Sequence, residues 1–538
     1  MRRSMVRVAL SSAYMLAWMG VAYAQFGRGS AEWMTVGGDA QRSFWIPSDP
    51  KISKAGLEKP GFRFLWKVKF NNNNAVQLNS LTPAVLMDRY IGYRGFRSLA
   101  FLGGSSNAIY AVDTDLSRIE WQSRLPLPAP PAGSPGCPGG LTANIARATS
   151  ATYPPSGTGG GGGGRGGPAS SAVGEPGDGA VTIAAALAVV ASRVPAPNRG
   201  PNIRPPGLIY AVSGDGMLRS IYLSNGAEPQ TAVKFLPPNS NAHGLIVLDG
   251  IAYAATENCN GAASGVWALD LESKEIRNWQ PSSGAIAGSA GPAFGPDGTV
   301  YVTTTSGQLV ALEPGTLKVK ETNSTDGLGF ASSPVVFPFK GKNLVAAATK
   351  DGRILLLDGA ALGSKPLFET RAYSETAFDS GALATWQAID GVRWLLVPGV
   401  GAPAPGSGFS AGNGAVTHGA IVAWKVADSN GAISLEPGWV SRDLVSPVTP
   451  MILNGVVFAL SSGEFRSDDR TLSLSQRVQR SSPAVLYALD GATGQVLWDS
   501  GKTITSFVHS GGLSGGASEL YVETFDETLY AFGFPIEH

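Results

Sequence analysis

One motif, repeated along the chain, constrains the fold more than any other feature. An apolar run rich in β-branched and aromatic residues ends in Ala-Leu-Asp or a near relative, passes through a turn, and meets an aromatic or apolar residue about eight positions on. Leu486-Tyr487-Ala488-Leu489-Asp490-Gly491-Ala492-Thr493-Gly494-Gln495-Val496-Leu497-Trp498 is the fullest copy. Ile109 to Asp113 leads in the same way to Trp121, and Val266 to Asp270 leads to Trp279. Leu309 to Glu313, Ile354 to Asp358 and Leu529 to Phe532 are weaker copies. Alternate residues of a strand face opposite sides, an Asp side chain can hold the turn backbone, and Gly494 can take positive φ, so each copy reads as a strand-turn-strand hairpin. A closing Trp then offers a flat apolar surface that one small sheet cannot bury and a neighbouring sheet can.

The spacing turns hairpins into a ring. Asp270, Glu313 and Asp358 follow each other at 43 and 45 residues, the length of one four-stranded propeller blade. Each copy is preceded by an earlier apolar strand, as at Gly298 to Val302 and Gly455 to Ala459. The pattern predicts blades near 82–125, 143–237, 242–281, 288–325, 330–371, 381–442, 446–502 and 507–537, that is, an all-β, eight-bladed propeller, with seven blades as the alternative. The last segment lacks an outer strand. Phe62 to Val68 carries Trp66 in the closing position with no hairpin before it, so it is expected to pair with Leu529 to Phe532 and remove the open sheet edge.

Composition narrows the partners. Lys plus Arg (41) balance Asp plus Glu (40), which leaves no net field for nucleic acid. Only 15% of residues are charged while Gly numbers 70 and Pro 37, a balance suited to short strands and many turns. Arg2, Arg3 and Arg7, the apolar Val8 to Val21 and the small-x-small Ala22-Tyr23-Ala24 make residues 1–24 an export signal, with Gln25 as the mature start. A periplasmic or secreted monomer without a membrane anchor is expected. Residues 25–61 form an entry segment and 62–538 the propeller. Its second blade is interrupted at about 126–206 by proline clusters and the Gly157 to Gly167 run. No Gly-Lys-Ser/Thr follows those glycines, which excludes a phosphate-binding loop. In an oxidising compartment the two cysteines, Cys137 and Cys259, are expected to form one disulfide.

The Ala488 to Trp498 motif resembles the tryptophan-docking repeat of the pyrroloquinoline-quinone-like (PQQ-like) β-propellers. Trp33-Met34-Thr35-Val36-Gly37-Gly38-Asp39 resembles the entry segment of the quinoprotein members of that superfamily. The resemblance implies two functions. One is an exported binding or scaffold module that recognises a protein or small molecule at the channel face. The other is a PQQ-dependent dehydrogenase of alcohols or sugars, which needs an aromatic floor, Ca²⁺ on the quinone oxygens and an Asp base.

Loops converge where inner strands begin, and blade alignment puts Asn79, Ser80, His243, Ser289, Ser332, Ser333, Trp386, Gln387, Thr449, His509 and Ser510 there. Trp386, Gln387, His243 and His509 are the candidate ligand-binding residues, with Trp386 as the floor and Glu257 and Asn258 as cation ligands under the dehydrogenase reading. Members of that family cover the cofactor with a disulfide between adjacent cysteines, and this chain has no adjacent pair. No nucleophile elbow and no helix-borne zinc motif is present. The sequence therefore favours the binding module, with no catalytic residue assigned.

Overall fold

The computed structural model describes residues 32–71, 80–92, 95–126, 141–153, 207–259, 262–325, 327–374, 381–467, 469, 471–509 and 512–535. The export signal, Cys137 and most of the Gly/Pro-rich segment lie outside the described residues. The described strands form seven hydrogen-bonded sheets. One is eight-stranded and consists of two four-stranded meanders joined by a parallel pair, Val247 to Ala148 and Leu248 to Thr149. The described strands thus group into four-stranded units of a β-propeller, labelled blades 1 to 8 in chain order. Their inner strands are Val85–Gly92, Ala146–Thr149, Asn241–Leu248, Ala293–Phe294, Val335–Phe339, Ala384–Gln387, Met451–Leu453 and Leu513–Gly516.

The chain ends close the ring as the sequence implies. Arg63–Lys69 pairs antiparallel with Thr528–Gly533, setting Phe64 opposite Phe532, Trp66 opposite Ala531 and Val68 opposite Leu529. The last blade thereby gains its fourth, outer strand from the N-terminal side, which covers the edge that Thr528–Gly533 would otherwise leave bare. Glu523, at the end of the strand Glu519–Glu523, accepts a hydrogen bond from the Ala84 amide at 3.0 Å and ties blade 8 to the start of blade 1.

Blades stack through aromatic rings on glycine. Trp121, on the outer strand of blade 1, donates its indole N–H to the Leu223 carbonyl of blade 2 at 2.8 Å, and its ring lies where a Cβ on Gly226 would be. Trp439 repeats the arrangement from blade 6 to blade 7. It donates to the Gly491 carbonyl at 2.9 Å, and a Cβ on Gly494 would come within 2.4 Å of its ring. Gly494 also sits at φ +73°, so it serves both the turn and the stacking. Aliphatic inner and middle strands fill the space beneath, and Leu344, Leu356, Leu395, Val457 and Leu489 are all fully buried.

The entry segment is the unexpected part of the fold. Residues 33–49 run along the inner strands and bond to each blade in turn. The Trp33 and Met34 carbonyls accept from Leu86 and Arg147 of blades 1 and 2, and the Thr35 hydroxyl donates to the Leu245 carbonyl of blade 3. The Ala40, Gln41, Ser43 and Phe44 carbonyls accept from Phe294, Val336, Thr385 and Ile452 of blades 4 to 7. Asp49 accepts from the Ser518 amide of blade 8 at 2.9 Å. Trp45–Ile46 adds a short parallel strand beside Met451–Leu453.

Arg42 is the hub of this strap. It is fully buried, its Nε donates to the Pro292 carbonyl, Nη1 to the Thr35 hydroxyl and the Val36 carbonyl, and Nη2 to the Gly244 carbonyl, all within 2.9 Å. Burial pulls its pKa down to about 9, partly offset by Asp39, so it stays charged at neutral pH. Arg42 and Phe44 hold φ values of +59° and +55°, a left-handed backbone costing each non-glycine residue about 1 kcal/mol or more. The hydrogen bonds on either side hold them there.

Replacing Arg42 with Met is expected to destabilise the fold by about 3 kcal/mol or more, because three carbonyls and a hydroxyl lose a charged donor. Urea unfolding measures this, and a loss under about 1 kcal/mol would show that the strap does not depend on Arg42.

Glu523 supplies a pH signature. Burial raises its pKa from the ordinary 4.5 to about 8, so the fold favours the protonated acid. That contribution is complete below about pH 4.5 and declines as pH rises toward 8, by at most about 1.4 kcal/mol per pH unit. Glu523→Gln keeps an oxygen for the Ala84 amide without the charge. The variant should lose less stability than the parent between pH 5 and pH 8 in thermal melts, and parallel losses in the two proteins would refute the assignment.

Candidate functional site

The axis is packed rather than hollow at the level where the inner strands begin. A Cβ on Gly288 would come within 1.8 Å of the Ser333 amide, and one on Gly244 within 2.6 Å of Gly291. The Ser289 and Ser333 amides both donate to the Gly381 carbonyl at 3.0 Å, the Thr449 hydroxyl donates to the Ala382 carbonyl, and the Ser332 carbonyl accepts from Thr303. These small residues, expected at a channel mouth, join neighbouring blades instead. Asn79 and Ser510 lie outside the described residues, and Ser80 donates to the Thr524 carbonyl.

The four candidate ligand residues sit in three surroundings. His243 stands half-buried beside a bulge in the inner strand of blade 3, just before the Gly244 and Leu245 carbonyls that the strap holds. His509 lies before the inner strand of blade 8, with Nδ1 at 2.5 Å from Glu464 Oε1. Glu464 is buried, and its other oxygen accepts from Arg466 Nε at 3.0 Å. Burial raises the Glu464 pKa, but the His509 and Arg466 contacts outweigh it and hold the carboxyl below its usual range.

Trp386 and Gln387 are adjacent and point to opposite sides of the blade 6 inner strand. Trp386 is 5% exposed, stacks on Trp394 at 6.4 Å with 7° between the planes, and packs where a Cβ on Gly491 of blade 7 would be. Its ring is a wedge between blades, and a planar ligand has no free face on which to lie. Glu257 is exposed and accepts from Asn241, while Asn258 accepts from the Ser264 amide within its own turn. Among the described residues no three His, Cys, Asp or Glu side chains converge as a metal site. The floor and ligand set named for PQQ and Ca²⁺ therefore do not fit that cofactor in this arrangement.

Gln387 leads to a site the sequence did not reveal. It is exposed at the rim of a cavity of about 150 Å³ between the strap, blade 5 and blade 6. Arg393, on the next strand of blade 6, is 3% exposed, with its guanidinium carbon 5.4 Å from the Trp45 ring centre and 5.7 Å from that of Phe337. Nη2 reaches Gln387 Oε1 at 3.4 Å, and Nε has no hydrogen-bond partner among the described residues. Burial lowers the Arg393 pKa to about 10, which leaves it charged at neutral pH. Tyr153 lines the same cavity and donates its hydroxyl to Asn343 Oδ1 at 2.8 Å. Asp39 also lines it, engaged by the Ser43 amide and hydroxyl, and burial pushes its carboxyl above the usual range. The only sequence hint was an arginine inside an otherwise apolar run, Arg393-Trp394-Leu395-Leu396-Val397.

Comparison with known proteins agrees with the repeat. A family model described as outer membrane protein assembly factor BamB matches residues 266–366. No curated protein sequence matches the chain. The quinohemoprotein alcohol dehydrogenase from Comamonas testosteroni superposes with a TM-score of 0.53 at 14% identity, covering 95% of this chain and 82% of that one. Quinohemoprotein alcohol dehydrogenase ADHIIG from Pseudomonas putida HK5 gives 0.52 at 10% identity, with the same coverage. At such identities the likeness speaks for the fold alone. Residues 266–366 thus resemble the PQQ-like repeat of that family model, and the chain shares the β-propeller fold of the quinohemoprotein alcohol dehydrogenases.

Proposed function

We propose that this chain is an exported PQQ-like propeller acting as a binding or scaffold module in the periplasm or outside the cell, and that its partner is a protein. The observation that carries this reading is where apolar side chains meet solvent. In an antiparallel meander the turn between the first and second strands and the turn between the third and fourth lie at one end of the blade. Among the described residues, Ile91, Phe96, Leu116, Val319, Leu367, Ile389 and Val496 are exposed at such turns, and only Leu328 is exposed at the other end. Ile91, Phe96 and Ile389 are 69%, 72% and 95% exposed. Single exposed apolar residues are ordinary, but their concentration at one end marks a surface that gains by being covered. The matching family model carries the name of an outer-membrane assembly factor, which agrees with a protein partner. Of the channel-mouth candidates, Gln387 is exposed and His243 and His509 are part-exposed, while Trp386 is buried.

The triple variant Ile91→Ser, Phe96→Ser, Ile389→Ser should melt like the parent and lose at least about tenfold in affinity for a purified cross-linked partner. Unchanged affinity would move the docking surface elsewhere. Dye reduction with a short alcohol that requires added PQQ and Ca²⁺ and stops on chelation would replace this reading with the dehydrogenase.

Export and the disulfide belong to the same proposal. Cys259 is 5% exposed and fixed in a tight turn by paired hydrogen bonds with Ala262, which offers a rigid anchor for Cys137. A cross-link closing a loop this long contributes on the order of 4 kcal/mol by chain entropy. Non-reduced peptide mapping of exported protein should recover a Cys137–Cys259 peptide and a mature start at Gln25. Two alkylated thiols would refute the link.

A further inference from the structure

We propose that the cavity beside Arg393 is a binding site for a small aromatic carboxylate. The proposal does not depend on the protein-partner reading, because the cavity is built by the strap and blades 5 and 6 and includes none of the exposed turn residues. Three observations carry it.

The first is an uncompensated charge. Arg393 is buried, and no Asp or Glu among the described residues pairs with it. Among the described residues its hydrogen-bond partner is a neutral amide oxygen at 3.4 Å, and Nε is left unpaired. A buried guanidinium in that state gains from an anionic acceptor, and a carboxylate matches its planar fork.

The second is orientation. The guanidinium carbon sits over the Trp45 and Phe337 rings, contacts that consume none of its N–H groups and leave its hydrogen-bonding edge for a ligand. An anion that takes the edge leaves those contacts intact.

The third is size and lining. An apolar cavity of about 150 Å³ holds one benzene-sized ring, and this cavity has that volume. Val336, Phe337, Pro338 and Trp45 give it apolar walls, while exposed Pro338 and Gln387 leave it open to solvent on one side. A single ring fits the walls, and a carboxylate on that ring reaches the arginine. Asp39, the acidic residue in the lining, is held by Ser43 and lies within the field of Arg42, so it does not set a free negative charge against the ligand.

Calorimetric titration of the purified exported chain with benzoate, and with benzamide as its neutral counterpart, tests the site. Saturable 1:1 binding of benzoate is expected, with benzamide at least about tenfold weaker. Arg393→Gln should weaken benzoate by about tenfold or more. Pro338→Trp, which fills the mouth from an exposed position and leaves Arg393 in place, should do the same without shifting the melting temperature. If Arg393→Gln does not fold, Pro338→Trp and the benzamide comparison decide. Absence of saturable benzoate binding by the parent, equal binding of benzamide, or benzoate binding unchanged in the folded variants would each overturn the proposal.

Discussion

A ring of four-stranded sheets has an unresolved problem at its centre, and the strap of residues 33–49 is how this chain solves it. Every inner strand presents backbone amides and carbonyls toward the axis, and a buried unpaired amide costs on the order of 1–3 kcal/mol. The strap meets the blades one after another in chain order, from Leu86 of blade 1 to Ser518 of blade 8. Its backbone turns are sharp, which is why Gly37 and Gly38 sit at φ +76° and +83° and why a Cβ on Gly38 would strike the Trp33 ring at 2.8 Å. Arg42 supplies the donors that one extended backbone cannot reach by itself. The axis is thereby filled with protein groups bonded to protein groups, and the blades are cross-linked from within as well as at their faces.

Between blades the interaction is of a different kind. The indole of Trp121 or Trp439 lies flat against the glycine of a neighbouring turn and anchors its N–H on a carbonyl of the same turn. The glycine is needed twice at Gly494, once for positive φ and once because a methyl group would occupy the space of the ring. Area burial by a Trp contributes without direction, and the hydrogen bond fixes the angle at which the next blade stands. The motif Ala-Leu-Asp-x-x-Thr-Gly-x-x-x-Trp therefore encodes both the hairpin of its own blade and the socket for a neighbour's tryptophan.

That double role explains what was legible in the sequence. Blade spans and the closing strand were readable because each rests on local periodicity and on one large residue at a fixed offset: the expected pairing of Phe64 to Val68 with Leu529 to Phe532 is the observed register. Side-chain direction at the axis was harder to read. Trp386 and Gln387 were grouped, yet on a strand neighbours face opposite ways, and the pleat sends Trp386 between blades and Gln387 to the cavity rim. Arg42 carried no signal because its partners at 244 and 292 are distant in sequence and are backbone carbonyls, which leave no trace in residue identity. Apart from an arginine set in an apolar run, the Arg393 cavity left no signal for the same reason, since its walls come from residues near 45, 153, 337 and 393 and meet only once the ring closes.

Filling the axis has a consequence for where recognition can occur. In a propeller with an open channel the concave mouth is the natural ligand site, because loops from all blades converge there. Here serine and glycine contacts around Gly381 and the strap occupy the start of the inner strands, and a concavity lies to the side, where the strap crosses from blade 5 to blade 6. The strap leaves an arginine buried there with no carboxylate paired to it among the described residues, while the turns at the end of the blades carry exposed apolar groups. The same segment that satisfies the inner edges thus decides both what the centre can no longer bind and where a charged pocket forms beside it.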